Sequence, residues 1–434
     1  MNMRKSKVDI ITMGCSKNLV DSELLMRQFT ANGFEVAHDP EIPQGEIVVI
    51  NTCGFIESAK EESIQMILDF SKAKKNKQIR ELFVMGCLSE RYQNELKELI
   101  PEVDKFYGKF NWKELLSDLG KSYHRELETD RILSTPAHYC YLKIAEGCNR
   151  LCSFCSIPLM TGKYKSKPME MIEMEVQSLV NQGVKEFQLI AQDISFYGKD
   201  IYNKFRLAEL LKRISDINGV EWIRLHYAYP TLFPLDVLPV MRERNNICNY
   251  LDIALQHSSD KILKRMRRYN TQKETRELLQ VIRQEVPDIH LRTTMMVGHP
   301  GETDEDFEDM LNFVKEMRFE RLGAFMYSAE DGTYSYRFYK DDVEPEIKNK
   351  RMDELMAVQE QIAMEIGESK IGQTFKVIID REEPDFYVGR TEYDSPEVDP
   401  EVLINKKQDL ISGRFYSVKI IGTQLFDLFG SVEV

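Results

Sequence analysis

Residues 146–155 read EGCNRLCSFC and bring three thiols, Cys148, Cys152 and Cys155, into one short stretch. Cys-x3-Cys-x2-Cys is one ligand short of a closed tetrahedral zinc site. Three thiolates do suffice to hold three irons of a four-iron, four-sulfur cluster, which leaves the fourth iron open to a ligand that is not protein. Phe154, beside the last cysteine, can shield such a cluster from water. Two plainer readings fit the same residues: a zinc knuckle with a ligand missing, or three buried structural thiols. The next histidine toward the C-terminus is His226, far from the loop in sequence.

Cys15, Cys53 and Cys87 stand 38 and 34 residues apart, about one strand-helix unit each. Each follows an apolar run: VDIITMG before Cys15, EIVVINT before Cys53, ELFVMG before Cys87. Strands of a parallel sheet all end on one edge, so three cysteines at this phase converge in space. Gly14, Gly54 and Gly86 flank them and allow the backbone close to a cluster. The alternative is three separate core thiols, since cysteine is often buried. Cys140, inside a strand, and Cys248, beside a loop, lack this placement and read as packing residues.

The elements that must carry these groups form three regions. Residues 1–120 alternate strand and helix and read as a small doubly wound α/β domain. Residues 121–138, KSYHRELETDRILSTPAH, are polar and aperiodic and read as a linker. Six strand candidates then follow, at 139–147, 186–192, 221–229, 250–256, 290–298 and 321–327, separated by amphipathic helices. Six β/α units make a barrel or partial barrel over 139–370, with its ligand chemistry at the carboxyl ends of the strands. Gln192 and Gln256 lie at such ends, and Gly298, in MMVGHPGE, offers a backbone contact. A long helix over 345–370 places Met352, Leu355, Met356 and Ile362 on one packing face. From 371 to 434 the pattern changes to short strands and turns, a small antiparallel β-barrel.

Composition narrows the setting. The 434 residues include eight cysteines, and no apolar run approaches the roughly 18 residues of a membrane span. The start, MNMRKSKVDIITMG, lacks the long apolar core of a signal peptide. A cytoplasmic protein without a membrane partner is expected, its thiols used for metal or catalysis rather than disulfides. A net charge of −13 weighs against a nucleic-acid partner. Residues 371–434 carry seven Lys and Arg against twelve Asp and Glu, a net of −5, which suits a basic protein partner. The basic run KILKRMRRYNTQKETR, 261–276, reads as a solvated helix face.

Cys-x3-Cys-x2-Cys after the first strand of a six-unit β/α barrel resembles the radical S-adenosylmethionine enzymes. With GCSKNLVDSE (14–23), NTCGFI (51–56), GCL (86–88), GCNRLCSFCSIP (147–158) and GRTEYDSPEVD (389–399), the whole chain resembles the methylthiotransferases, whose terminal domain is of the TRAM type. That resemblance implies two [4Fe-4S] clusters. One is held by Cys148, Cys152 and Cys155, with S-adenosylmethionine on its open iron and Phe154 near the adenine. The other is held by Cys15, Cys53 and Cys87 and carries the sulfur co-substrate. S-adenosylmethionine then serves as methyl donor and radical source, and an external electron donor is implied. Both clusters must face one cavity, which the linker would permit. Two branches differ in substrate: one modifies adenosines of transfer RNA, the other an aspartate of small-subunit ribosomal protein S-twelve. Lys17 and Asn18 after the first cysteine, with QDISFYGKD (192–200) and YLDIALQHSSDKILKRMRR (250–268), resemble the ribosomal-protein branch, and the acidic terminal barrel agrees. The basic run at 261–276 then gives a further expectation, contact with the small ribosomal subunit. A protein whose clusters only sense redox state or iron is the alternative of another class.

Overall fold

The computed structural model describes residues 6–433. The first unit runs β1 (Lys7–Thr12), α1 (Ser16–Ala31), β2 (Glu35–His38), β3 (Ile47–Thr52), α2 (Glu57–Lys75), β4 (Glu81–Gly86), α3 (Cys87–Leu99), β5 (Lys105–Phe106) and α4 (Trp112–Asp118). Its sheet is parallel throughout, in the order β2-β1-β3-β4-β5. β3 is buried along its whole length because helices cover both faces, which explains its unbroken apolar run. The edge strands β2 and β5 are short and partly polar, so their sequences carry little strand signal. The order reverses between β1 and β3, and such a switch opens a crevice at the carboxyl ends.

The connecting residues 121–138 are not a loose tether. Arg131 is fully buried, with Nη1 2.8 Å from Glu23 of α1 and Nε 3.0 Å from Glu175 of the second unit. Ser134 also donates to Glu23 through both its amide and its hydroxyl, each at 2.8 Å. Docking of the two units is therefore clamped rather than merely permitted.

The second unit contains β6 (Tyr139–Lys143), β7 (Ala145–Glu146), α5 (Ile157–Thr161), β8 (Lys165–Ser166), α6 (Met169–Asn181), β9 (Glu186–Ile190), α7 (Leu207–Ser215), β10 (Trp222–Ala228), α8 (Val237–Glu243), β11 (Ile247–Ile253), α9 (Asp260–Arg265), α10 (Gln272–Glu285), β12 (His290–Val297), α11 (Asp304–Met317), β13 (Arg321–Met326), α12 (Tyr334–Phe338) and α13 (Pro345–Ser369). Six parallel strands, β6-β9-β10-β11-β12-β13, form an open partial barrel. Alternation divides its faces. Cys140, Leu142, Leu189, Leu225 and Leu251 pack outward under the helices. Along the same strands, Tyr141, Gln188, His226 and Asp252 take the other face. Leu355 and Ile362 of α13 are buried in the outer core, with Met352 and Met356 packed at its margin. Cys140 and Cys248 are both packing residues, and Cys248 lies within β11 rather than beside a loop.

The third unit, β14 (Thr374–Glu382), β15 (Phe386–Thr391), β16 (Val402–Asn405), β17 (Phe415–Gln424) and β18 (Asp427–Val432), is a closed barrel. Its β15–β16 loop enters the concave side of the partial barrel. Glu397 accepts hydrogen bonds from Tyr139 (3.0 Å) and Tyr141 (2.9 Å), and Asp399 accepts one from Tyr250 (2.8 Å). Asp394 pairs with Arg321, and Arg390 reaches across to Glu186 at 2.8 Å. Several acids counted toward an outer acidic face are thus spent on the internal seam. The net charge of residues 371–434 does not measure what this domain shows a partner. Among the described residues, no helix is long and apolar enough to cross a membrane.

Candidate functional site

The N-terminal thiols gather because each closes a strand on the same edge. Cys15 caps α1, Cys53 follows β3, and Cys87 opens α3. Gly14 packs so tightly against Cys53 that an added Cβ would lie 2.5 Å from its Cβ and 2.7 Å from its Sγ. Its φ of +91° is a second reason only glycine fits. Gly54 is pressed onto the start of α3, where a Cβ would meet the Leu88 backbone at 2.8 Å. Asn18 ties the ends together, donating to the carbonyls of Met13 and Thr52 at 3.0 Å each, while its Oδ1 accepts from Cys87 Sγ at 3.7 Å. Burial raises the Cys53 thiol and pushes Cys87 up to about 12, the neighbouring thiols adding to both. Cys15 is exposed at the edge of this group, and the buried Lys109 works against the rise at Cys53 and Cys87.

The second triad is built locally. Ser153, fully buried between Cys152 and Cys155, donates its amide to Met266 O (2.9 Å) and accepts from the Ser335 amide at its carbonyl (2.7 Å). Its hydroxyl accepts from Ser335 Oγ at 2.8 Å. The loop is thereby pinned from two sides of the barrel. Burial pushes Cys148 up to about 12 and Cys155 higher still, with Cys152 adding to each. Donors converge on the sulfurs: the Arg150 amide on Cys148 at 3.3 Å, Arg268 Nη1 on Cys152 at 3.7 Å, and the Tyr229 hydroxyl 3.8 Å from Cys152. Among the described residues no three His, Cys, Asp or Glu side chains are close enough to grip a single metal ion. A cubane asks less of its ligands, since each thiolate binds a different iron.

The other sequence candidates divide. Gln192 and Gln256 both sit at the barrel mouth, and each has a buried side-chain carbonyl oxygen without a partner. Two orphaned acceptors at strand ends fit a site that a polar ligand completes. Phe154 packs on Ile262, Met266, Met296 and Tyr327, with its ring 6.4 Å from that of His299. The Gly298 amide is committed to Glu302 at 2.9 Å, and Lys348 fills the space where its Cβ would be.

The segments that carry the two triads touch. Ser156, next to Cys155, donates its hydroxyl to the carbonyl of Phe55, two residues beyond Cys53, at 3.2 Å. Lys109 of the first unit is buried and lies 3.0 Å from Glu146, just before the barrel cysteines. Lys143 joins Glu146 at 2.8 Å and also pairs with Asp21 of α1, and Gln192 donates to Glu146. Although burial opposes it, Lys143 and Lys109 hold the Glu146 carboxyl well below its usual range. Sequence reasoning did not single out Lys109, Lys143, Asp21 or Glu146, because pairs so distant in the chain leave no local pattern. Arg150 was findable, as a charge inside a ligand loop. Arg268 is the exception to the reading of 261–276 as a solvated face: it is 4% exposed and turned inward to Cys152 and Ala254 O, while Lys261 and Lys273 stay exposed.

Residues 7–108 match a family described as Uncharacterized protein family UPF0004, residues 142–314 the Radical SAM superfamily, and residues 371–432 the TRAM domain. Among solved structures, the radical S-adenosylmethionine methyltransferase TsrM from Kitasatospora setae, with tryptophan substrate and a SAM analog bound, superposes with a TM-score of 0.58. At 13% identity over 82% of this chain and 89% of that one, the likeness is one of fold. Ribosomal protein uS12 methylthiotransferase RimO of Parabacteroides distasonis is 65% identical, covering 99% of this chain and all of its own length. The RimO proteins of Porphyromonas gingivalis, at 61% over 99% of this chain and all of theirs, and of Flavobacterium johnsoniae, at 51% over 99% and 98%, align likewise. Identity at this level from end to end means that the chain belongs to the RimO family of radical S-adenosylmethionine methylthiotransferases.

Proposed function

We propose that this protein places a methylthio group on the β-carbon of an aspartate in ribosomal protein uS12. Cys148, Cys152 and Cys155 hold one [4Fe-4S] cluster, and Cys15, Cys53 and Cys87 hold a second. When bound, the barrel cluster with S-adenosylmethionine supplies the radical that takes hydrogen from the substrate carbon, and the N-terminal cluster supplies the methylated sulfur. The chain's own residues orient and enclose. Gln192 and Gln256 offer their unpaired carbonyls to the S-adenosylmethionine, and Phe154 covers the cluster side of the pocket. Arg150, Arg268 and Tyr229 direct hydrogen bonds at the barrel thiolates, and the Lys109–Glu146–Lys143–Asp21 network holds the two halves in register.

One observation supports this reading: the hydrogen bond from Ser156 to Phe55 joins the loop of Cys155 to the loop of Cys53, the approach that transfer between the two sites needs. The likeness to the RimO relatives favours uS12 over transfer RNA. The test is to reconstitute the protein without oxygen, with iron, sulfide and reductant, then add methyl-labelled S-adenosylmethionine with uS12 and transfer RNA together. Mass spectrometry should find labelled methylthio on a uS12 aspartate. Label on adenosine would assign the chain to the other substrate.

A further inference from the structure

Lys17 lies two residues beyond Cys15, in the first turn of α1, and projects out of its own domain. Its Nζ sits 3.4 Å above the ring of Tyr227, near the carboxyl end of β10. Two residues further along that strand end, the Tyr229 hydroxyl lies 3.8 Å from Cys152. Lys17 therefore stands between the two triads, anchored beside a ligand of one and resting on the strand end that touches a ligand of the other.

The other cations near this space are already engaged. Lys109 and Lys143 are paired with Glu146, Arg150 with Asp193 at 2.8 Å, and Arg268 with Cys152 and Ala254 O. Among the described residues, Lys17 makes no ion pair within 4.0 Å and rests on the Tyr227 ring. A ring face orients an ammonium without neutralising it. Asp252 is near enough to feel the Lys17 charge, but it is buried and shared with Arg292, whose Nη1 is 3.9 Å away. A half-buried, ring-oriented, unneutralised cation is a binding site for an anion.

We propose that Lys17 receives the side-chain carboxylate of the target aspartate and thereby selects and positions it. The inference rests on the proposed uS12 reaction and adds the residue that recognises its substrate. The carboxylate is bonded directly to the carbon that is functionalised. Gripping it at Lys17 holds that carbon between the thiols that generate the radical and the thiols that carry the sulfur.

The test uses reconstituted full-length holoenzyme and two forms of uS12, one with the target aspartate and one with asparagine in its place. Wild type should bind the aspartate form about 10–100-fold more tightly, the range for a charge-assisted hydrogen bond in a half-buried site. Lys17→Met should bring that ratio to within about threefold, and Lys17→Arg should restore most of it. For aspartate substrate the Lys17→Met loss should appear in KM as well as kcat, because both affinity and position are lost. Iron content and 5′-deoxyadenosine, read in the same reactions, report whether each variant is loaded. Equal binding of both uS12 forms by wild type overturns the assignment without reference to any variant, as does a loaded Lys17→Met that keeps the full ratio. A wild type that makes no methylthio product on uS12 overturns the underlying function, and Lys17's role with it.

Discussion

The two triads bring three thiols together by opposite routes. The barrel thiols occupy eight consecutive residues, 148–155, and a few hydrogen bonds to Met266 and Ser335 fix their loop. The N-terminal thiols span residues 15–87 and meet only when β1, β3 and β4 are in register. One site is a property of a loop, the other of a whole sheet. A local site tolerates disturbance elsewhere in its domain, while a site assembled from strand ends inherits every packing error between them. The difference also suits the chemistry proposed for each: one holds a permanent cofactor, the other must present a group that is consumed.

The largest expected effects separate the two sites outright. Replacing Cys148, Cys152 and Cys155 together with alanine should leave no 5′-deoxyadenosine above background by liquid chromatography; continued cleavage of S-adenosylmethionine would dissolve the distinction. Replacing Cys15, Cys53 and Cys87 should preserve 5′-deoxyadenosine and abolish methylthio product, and normal product yield from that variant would remove the sulfur-carrying role from the N-terminal triad.

Smaller changes should sharpen the contrast. Arg131→Met leaves Glu23 and Glu175 buried without their shared guanidinium. Loss of one partner from such a group costs about 3–5 kcal/mol, nearer the lower figure here because Ser134 and Lys167 still reach the carboxylates. Urea unfolding should show the loss, and methylthio yield should fall more than 5′-deoxyadenosine. Gly14→Ala should cost about 1–3 kcal/mol of local strain and lower the iron bound at the N-terminal triad, with the barrel signal unchanged by electron paramagnetic resonance. Equal loss at both sites would mean the triads are not independently built.

The smallest effect should come from acid, read on the iron-free chain so that proton attack on the clusters does not enter. Burial would raise Glu186, but the guanidinium groups of Arg390 and Arg224 outweigh it and hold its carboxyl below the usual range. A depressed folded-state value contributes stability above the unfolded value of about 4.3 and loses it as pH falls through the folded one. The seam between the terminal barrel and the partial barrel should therefore weaken below about pH 4, measurable as earlier thermal unfolding. Earlier unfolding on raising the pH from 5 to 7 would contradict the sign.

Sequence made the local triad plain and the distributed one inferable, because strand phase survives in an apolar run even when contacts do not. Six barrel strands and the α13 helix were legible for the same reason. The docking was not. Arg131 hides in a polar stretch that reads as linker, and the acids of residues 391–400 read as outer charge while Tyr139, Tyr141, Tyr250 and Arg321 claim them from within. Pairs that close over a hundred residues have no period to reveal them. Cys248 falls inside β11 because the strand begins at Ile247, ahead of its apolar run.

The most direct test of the central claim is the iron bound per chain after anaerobic reconstitution. Wild type should bind about eight irons and each triple-alanine variant about four, as two separately built four-iron sites require. About four irons in wild type, unchanged when Cys15, Cys53 and Cys87 are replaced, would contradict it.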